Sequence, residues 1–573
     1  MNKNYLKNTA ILFVAMALTK IVGALFKIPL ANILGGVGMG YFAGAYGLYS
    51  PVFAVTAAGI PTVMMRLTAC NISAGRPENA RSIRKTAFIL FTVIGFIGMA
   101  VIFIFAEPFA RYVSCSPESA AAIKAISPAV LFCSMASVIR GYHEGKSDIM
   151  PSSEAALAEA ISRAVFGLAL SLGVVCFARY SYESSGFVFG REVFSYEEAH
   201  SASLSYAAAA AILAVSISEL AGLITALIAD RKRSGKIMRD ALPVDSSKQT
   251  VRRLLTDILP IACSALVMNF VSFIDLVTVT RTLNASVQAN GEYYARFCAQ
   301  ALSASGGADG FANFVYGSYS GIAMSLFMMI PSFASMSEKT SLPDISAAWE
   351  QKNSKALTEC ISRMLNTASI IGFPACFGAL ALAEPILTML YPSRAAEVSV
   401  CVMPLEILCA GGGFLFVGTA FFGILQAIGK AYCPLILMSV SILIKLILNP
   451  LLISIPQLSI SGAALSTVVG YVVMCVGAYL ALRKYIGRPL GIFGAIGAPM
   501  AAASLCGISA YMTEQYLAKA VNQPLSTILA VAAGGFVYVI LLIFNSIFRV
   551  IAIRNNQKKK NFVKPLEKSS KIG

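Results

Sequence analysis

Charge is scarce in this chain. Only 13% of its 573 residues are Asp, Glu, Lys or Arg, while 57% are hydrophobic and the mean hydropathy is +0.73. A water-soluble domain would have to hide that excess in an implausibly large core, so a soluble fold is excluded. Histidine is nearly missing, with only His143 and His200, too few for a histidine metal centre. No two of the thirteen cysteines form a Cys-x-x-Cys pair, and most lie in apolar runs, where they read as small buried hydrophobes. Also missing are the alternating segments of about ten residues that mark a membrane β-barrel. The apolar runs are instead continuous and about 18 residues or longer, enough to cross a hydrocarbon layer of about 30 Å as helices.

Acidic residues are outnumbered, 28 against 45 Lys and Arg, for a net charge of +17. In a soluble protein this would point to nucleic acid; here the distribution of charge explains it as membrane orientation, and no nucleic-acid partner is expected. The apolar runs place spans at 8–34, 41–70, 86–106, 121–140, 152–178, 206–229, 257–280, 311–336, 359–383, 400–428, 432–455, 461–482, 491–512 and 525–548. With a cytoplasmic N-terminus, the inside loops then hold 31 Lys and Arg and the outside loops seven. The expected fold is therefore an all-α polytopic protein of the cytoplasmic membrane, with about fourteen transmembrane helices and both termini in the cytoplasm. The opening stretch MNKNYLKNTAILFVAMAL has the basic-then-apolar order of a signal peptide, but it runs on past Lys20 without a small-residue cleavage site. We read it as a retained first span.

Parts of the sequence recur. AGIPTVMMRLTA before the third span has a counterpart in MMIPSFASMSEK before the ninth, each turning on Ile-Pro (Pro61 and Pro331). AEPFARY at 106–112 returns as AEPILTMLY at 383–391. GYHEGKSDIMP at 141–151 returns as GILQAIGKAYCP at 423–434, where Gly-Lys is followed by the Pro that opens the next helix. Their common order predicts two six-helix lobes in one orientation, related by a pseudo-twofold along the membrane normal. The divisions are 1–230 (N-lobe), 231–256 (basic cytoplasmic linker), 257–485 (C-lobe), 486–550 (two extra helices) and 551–573 (basic tail). Duplicated six-helix halves are an architecture of transporters, although a duplicated scaffold or a membrane enzyme would share it.

The ionisable residues inside the spans are the candidates for chemistry, because a charge at mid-bilayer costs about 2.5–3.5 kcal/mol on insertion scales. Lys20 and Lys27 lie seven residues apart in TKIVGALFKIPL, hence on one stripe and about 10.5 Å apart along a helix. Gly23 lies between them and Pro29 follows. They could face a cavity or snorkel to an interface. Glu159 and Arg163 in span 5 have the favourable acid-first i, i+4 order and are expected to pair. By the repeat offset, Lys445 in span 11, four residues before Asn449, maps beside Arg163, as if both lobes set a cation at similar depth. Span 7 brings Asn269, Ser272 and Asp275, then Arg281 at its outer end. Tyr41, Tyr46 and Tyr49, and Asn313, Tyr316 and Tyr319, read mainly as an interfacial aromatic belt.

GYHEGKS is one residue short of a phosphate loop and follows no strand, so no nucleotide cofactor is expected. With no compact nucleophilic or metal-ligand cluster, an enzyme is not expected either; any work would come from an ion gradient, the membrane potential or use of the product.

The chain resembles the multidrug/oligosaccharidyl-lipid/polysaccharide exporter superfamily, and within it the polysaccharide transporters and lipid II flippases. The resemblance covers nearly the whole sequence and rests on TKIVGALFKIPLANILGGVGMGYF, AGIPTVMMRLTA, IRGYHEGKSDIMPSSEAALAEAISR and FIDLVTVTRTL. Glu144 stands where this branch usually has Gln, and a single Arg281 where paired arginines are usual. The resemblance implies a monomeric flippase that carries a polyprenyl-pyrophosphate-linked saccharide between leaflets by alternating access. Lys20 and Lys27 match by position the basic residues that meet the anionic head group in related flippases. On this reading Lys20, Lys27 and Arg281 hold the pyrophosphate and Arg163 and Lys445 add charge, with Glu159, Asp275 and Asn449 beside them. The rivals are an ion-coupled multidrug exporter, disfavoured because the first span has no Asp or Glu, a non-transporting scaffold for cell-wall synthesis, and a membrane glycosyltransferase.

Overall fold

The computed structural model describes residues 3–233, 244–487 and 492–545. Within them, the side chains of 3–18, Lys20, Ile21, Ala24, 333–340, 492 and 493 lie outside the described residues. The first helix, α1 (Lys3–Thr56), is two helices end to end, broken where Gly35 takes φ 59° and ψ −171°, a conformation that a side chain would strain. α2 (Ile60–Ser73) restarts the chain with Pro61 in its first turn, where the missing N–H costs nothing. Then follow α3 (Pro77–Tyr112), α4 (Ala120–Gly145), α5 (Met150–Ser185), an antiparallel hairpin of β1 (Phe187–Val188) and β2 (Arg191–Glu192), and α6 (Tyr196–Arg233). α7 (Ser247–Ala289) opens on a capping box between Ser246 and Gln249, which satisfies two otherwise orphaned backbone donors. The short α8 (Gly291–Phe297) and α9 (Ala299–Ala304) lead to α10 (Ala308–Ser318), which widens into a π-turn at Tyr319–Ala323 and continues as α11 (Met324–Glu350). The rest comprises α12 (Ser354–Ala381), α13 (Ala383–Leu390), α14 (Ala395–Ala427), α15 (Tyr432–Ile453), α16 (Ile460–Ile486), α17 (Ile492–Leu517) and α18 (Gln523–Asn545).

Among the described residues, thirteen helical runs are long and apolar enough to cross a bilayer, which makes the protein an all-α polytopic membrane protein. The count differs from fourteen because the two arms of α1 join α2 in a single run, Leu25–Ser73. The Gly-Lys repeat folds alike in its two copies: α4 ends at Gly145 and α5 carries Pro151 in its first turn, while α14 ends at Ala427 and α15 carries Pro434 in its first turn. The Ile-Pro repeat does not. Pro61 starts a helix, whereas Pro331 is carried inside α11.

The chain forms two compact units. One comprises residues 1–326, 391–404 and 435–470. In it, α2, α3 and α4 close over a core of Ile60, Met64, Leu67, Ile83 and Phe91, with Leu254 and Ile258 of α7 against it. At one rim of this core, Asp245 accepts from Arg76 and from Asn79; the Asn79 amide, and after it Arg76, holds its carboxyl below the ordinary carboxylate range. The other unit comprises 327–390, 405–434 and 471–573. There α12 packs on α17, Leu382 meets Ala510 and Ala530, and the Tyr538 hydroxyl donates to the Ile370 carbonyl at 2.9 Å. None of the thirteen cysteines is bridged; seven are buried and three are exposed.

Candidate functional site

The break in α1 determines where its charged face points. Gly36 and Gly40 lie against α10 so closely that a side-chain carbon on either would collide with Phe314, Ser318 or Asn313. Asn313 donates to the Val37 carbonyl at 3.0 Å. Two residues at the start of α14 close the break itself. Arg394 donates to the carbonyls of Asn32 (2.7 and 3.1 Å) and Ile33 (3.1 Å), and Glu397 accepts from the Gly36 N–H at 3.0 Å. The carbonyls freed by one helix end and the amide freed by the next are thus satisfied by one ion pair, Arg394–Glu397 at 3.7 Å, as buried helix ends require.

On the arm before the break, Phe26 is buried with its ring on Gly167 of α5. Glycine there lets the two helices approach, and it lies one turn beyond Arg163. Lys27, next to Phe26, is exposed, and its Nζ donates to the Ser325 hydroxyl at 3.1 Å. The positive charge of Arg163 is felt at Lys27. Gly23, one turn earlier, is exposed with open space where a side chain would be. Lys20 belongs to the same helix, but its side chain lies outside the described residues.

The expected pair between Glu159 and Arg163 does not form, because both face other helices. Arg163 donates to Glu219 (3.1 Å) and Ser218 (3.3 Å) of α6, and Glu159 pairs with Arg140 of α4. Gly222 of α6 leaves the room in which the Glu159 carboxyl sits. Arg140, the last residue of the expected fourth span, is inside α4 with its side chain 18% exposed. Arg163 is thus matched by Glu219 and Arg140 by Glu159, whereas the described partner of Lys27 carries no charge.

A second group is closed on itself. Lys445 of α15 donates to Asp275 of α7 at 2.6 Å. Asn449 donates to Asp275 at 3.1 Å and to the Thr278 hydroxyl at 2.9 Å, and accepts from Ser466 of α16. Lys445, Asn449 and Asp275, expected to contribute charge or polarity to a substrate, are here bonded to one another and buried. Arg281 donates to the Tyr112 carbonyl at 2.8 Å, capping the end of α3, and has no described contact with Lys27. The aromatic-belt reading is also corrected. Tyr49, Tyr316, Tyr319 and Asn313 are buried, the last three on the helix and π-turn that follow Ala308, where α10 packs into the glycine face of α1. Phe42, Tyr46, Tyr49 and Phe53 form a continuous ring ladder along the second arm of α1.

Residues 5–191 match the family described as polysaccharide biosynthesis protein, and residues 315–451 match the family described as MatE. The chain is similar to Stage V sporulation protein B of Bacillus subtilis (strain 168), 25% identical over 96% of both chains. It is also similar to Lipid II flippase MurJ of the same organism, 23% identical over 85% of this chain and 84% of the relative. Among solved structures, an inward closed conformation of lipid II flippase MurJ shares the fold, with a TM-score of 0.64 at 14% identity over 95% of this chain and all of the other. An inward-facing multidrug resistance MATE family transporter does so with a TM-score of 0.53 at 17% identity, over 83% of this chain and 94% of the other.

Proposed function

We propose that the chain, similar over most of its length to the polysaccharide and lipid II flippase branch of the multidrug/oligosaccharidyl-lipid/polysaccharide exporter superfamily, translocates a polyprenyl-pyrophosphate-linked saccharide, a lipid II-like cell-wall or polysaccharide precursor, across the cytoplasmic membrane by alternating access. One observation carries the reading: Lys27 is a cation on α1 whose described partner is a neutral hydroxyl, whereas Arg140 and Arg163 are paired with carboxylates. A pyrophosphate leaving water needs such a charge; unit charges about 4 Å apart attract by about 4 kcal/mol at an effective dielectric constant of about 20. A lysine supplies it as a compact point charge on a movable stem. An exporter of cationic drugs would need the opposite sign, and α1 has no Asp or Glu.

In this reading Arg163 and Arg140, tied to Glu219 and Glu159, shape the wall beside Lys27 and bring no net charge to it. Lys20, one stripe position earlier, would meet the same head group, and the lipid tail would stay in the bilayer. The excess of Lys and Arg in the loops assigned to the inside supports a cytoplasmic side for both termini.

The test is rescue of cells depleted of their own lipid II flippase. The wild-type chain should restore growth, Lys27→Ala and Lys20→Ala should abolish rescue with membrane insertion unchanged, and Lys27→Arg should retain part of it. Full rescue by Lys27→Ala would overturn the assignment.

A further inference from the structure

Lys27 is held by a hydroxyl where the neighbouring arginines are held by carboxylates, and the backbone explains how that hydroxyl comes to be there. Ser325 follows the π-turn Tyr319–Ala323 by two residues. It donates its single proton to the Ser320 carbonyl, five residues back, at 3.1 Å, the i to i+5 spacing of a π-turn. With the proton committed, the hydroxyl is left as an acceptor with two lone pairs, and the Lys27 ammonium donates into one of them at 3.1 Å.

We propose that Ser325 is a displaceable latch: it positions the Lys27 ammonium while the site is empty and yields it to a phosphate-type oxygen of the cargo. The proposal rests on the reading of Lys27 as the head-group cation. A neutral oxygen is suited to the task, because a phosphate oxygen adds charge–charge attraction to the hydrogen bond that either oxygen accepts from the ammonium. An incoming phosphate therefore outcompetes the hydroxyl, and on its departure the hydroxyl takes the ammonium back. A carboxylate at this position would hold Lys27 as Glu219 holds Arg163, and would cancel the charge of Lys27. The π-turn is then the device that sets Ser325 as an acceptor, consistent with the tendency of such turns to occur at functional sites.

The experiment uses the full chain in detergent micelles, with saccharide-free polyprenyl pyrophosphate as the probe and its affinity read by native mass spectrometry. Ser325→Asp should weaken binding by about tenfold or more, the range of one lost charge contact. Ser325→Ala should stay within about threefold of wild type, since the ammonium loses a holder but keeps its charge. Lys27→Ser should bind weakly, and the exchange Lys27→Ser with Ser325→Lys, which returns the ammonium from the opposite helix, should recover most of the affinity. Wild-type binding by Ser325→Asp, equal losses in Ser325→Ala and Ser325→Asp, or no recovery in the exchange would each overturn the latch. Unchanged binding by Lys27→Ser would instead overturn the reading of Lys27 beneath it, so the two failures are distinct.

Discussion

Replacing Lys445 with Met removes the cation from a buried carboxylate. The side chains of Lys445 and Asp275 are 5% and 12% exposed, so the small energies of surface ion pairs do not apply. Breaking a buried pair by removing one partner costs about 3–5 kcal/mol, most of it the penalty of the charge left behind. With an unfolding entropy of about 2.1 cal/mol/K per residue over 573 residues, that is a fall in Tm of about 2.5–4 °C. Asp275→Leu alone should fall by a similar amount. The double variant Lys445→Met with Asp275→Leu should recover most of the loss, because two apolar side chains leave no charge to solvate. The assay is thermal unfolding in detergent with a thiol-reactive dye, for which the seven buried cysteines are the reporters. A double variant that loses the sum of the two single losses would refute the pairing, since independent sites add and coupled ones do not. Loss of flipping in a stable double variant would put Lys445 back in contact with cargo.

The clasp on the α1 break gives a second expectation. Arg394→Ala abandons the carbonyls of Asn32 and Ile33, at about 1–3 kcal/mol for each acceptor left buried without a donor. Gly35→Ala should also be destabilising, by about 1–2 kcal/mol for its left-handed backbone plus the collision with Arg394 and Glu397. Either variant melting at the wild-type temperature in the same dye assay would count against the clasp. Orientation is tested by single cysteines placed at Lys232 and Lys519 in a background freed of the exposed native thiols. A membrane-impermeant maleimide added to intact cells should label the second and spare the first, and the reverse pattern would invert the topology.

The membrane class and most of the helices were legible from hydropathy alone, because length and apolar content determine whether a segment can span a bilayer. Lys20 and Lys27 stood out as lysines in an otherwise apolar span, with snorkelling to an interface as the bland alternative. What could not be read was which carboxylate belongs to which cation. Glu159 and Arg163 satisfy the helical pairing rule along one chain, yet the rule says nothing of what faces them. Gly222 opens space for Glu159, Arg140 reaches it from α4, and Glu219 waits opposite Arg163. The signal available was the acid Glu219 itself, which in a span requires a partner. The kink at Gly35 was not read from ILGGVGMG, and neither was its clasp: Arg394 and Glu397 come some 360 positions later and meet α1 only through tertiary packing. The tyrosines misled for a related reason. Composition cannot distinguish a ring at the lipid interface from one covered by a neighbouring helix.

The break at Gly35 and the cation at Lys27 belong to one lever. Eight residues separate them, about 12 Å of helix at 1.5 Å per residue. A change of about 20° in the kink, the smallest that counts as sharp, would swing the Lys27 backbone by about 4 Å. Where the lysine stem does not extend to follow it, that sweep breaks the 3.1 Å hydrogen bond to Ser325, which couples movement at the break to release of the ammonium. Arg394 and Glu397 hold the break from outside the helix, through contacts to the backbone on both sides of Gly35. On the proposed reading, a cargo anion that draws Lys27 away from Ser325 loads the clasp, and a clasp that opens turns Lys27 away from its latch. A transporter that alternates its access would use a link of this kind between occupancy and helix direction, and α1 carries both of its ends.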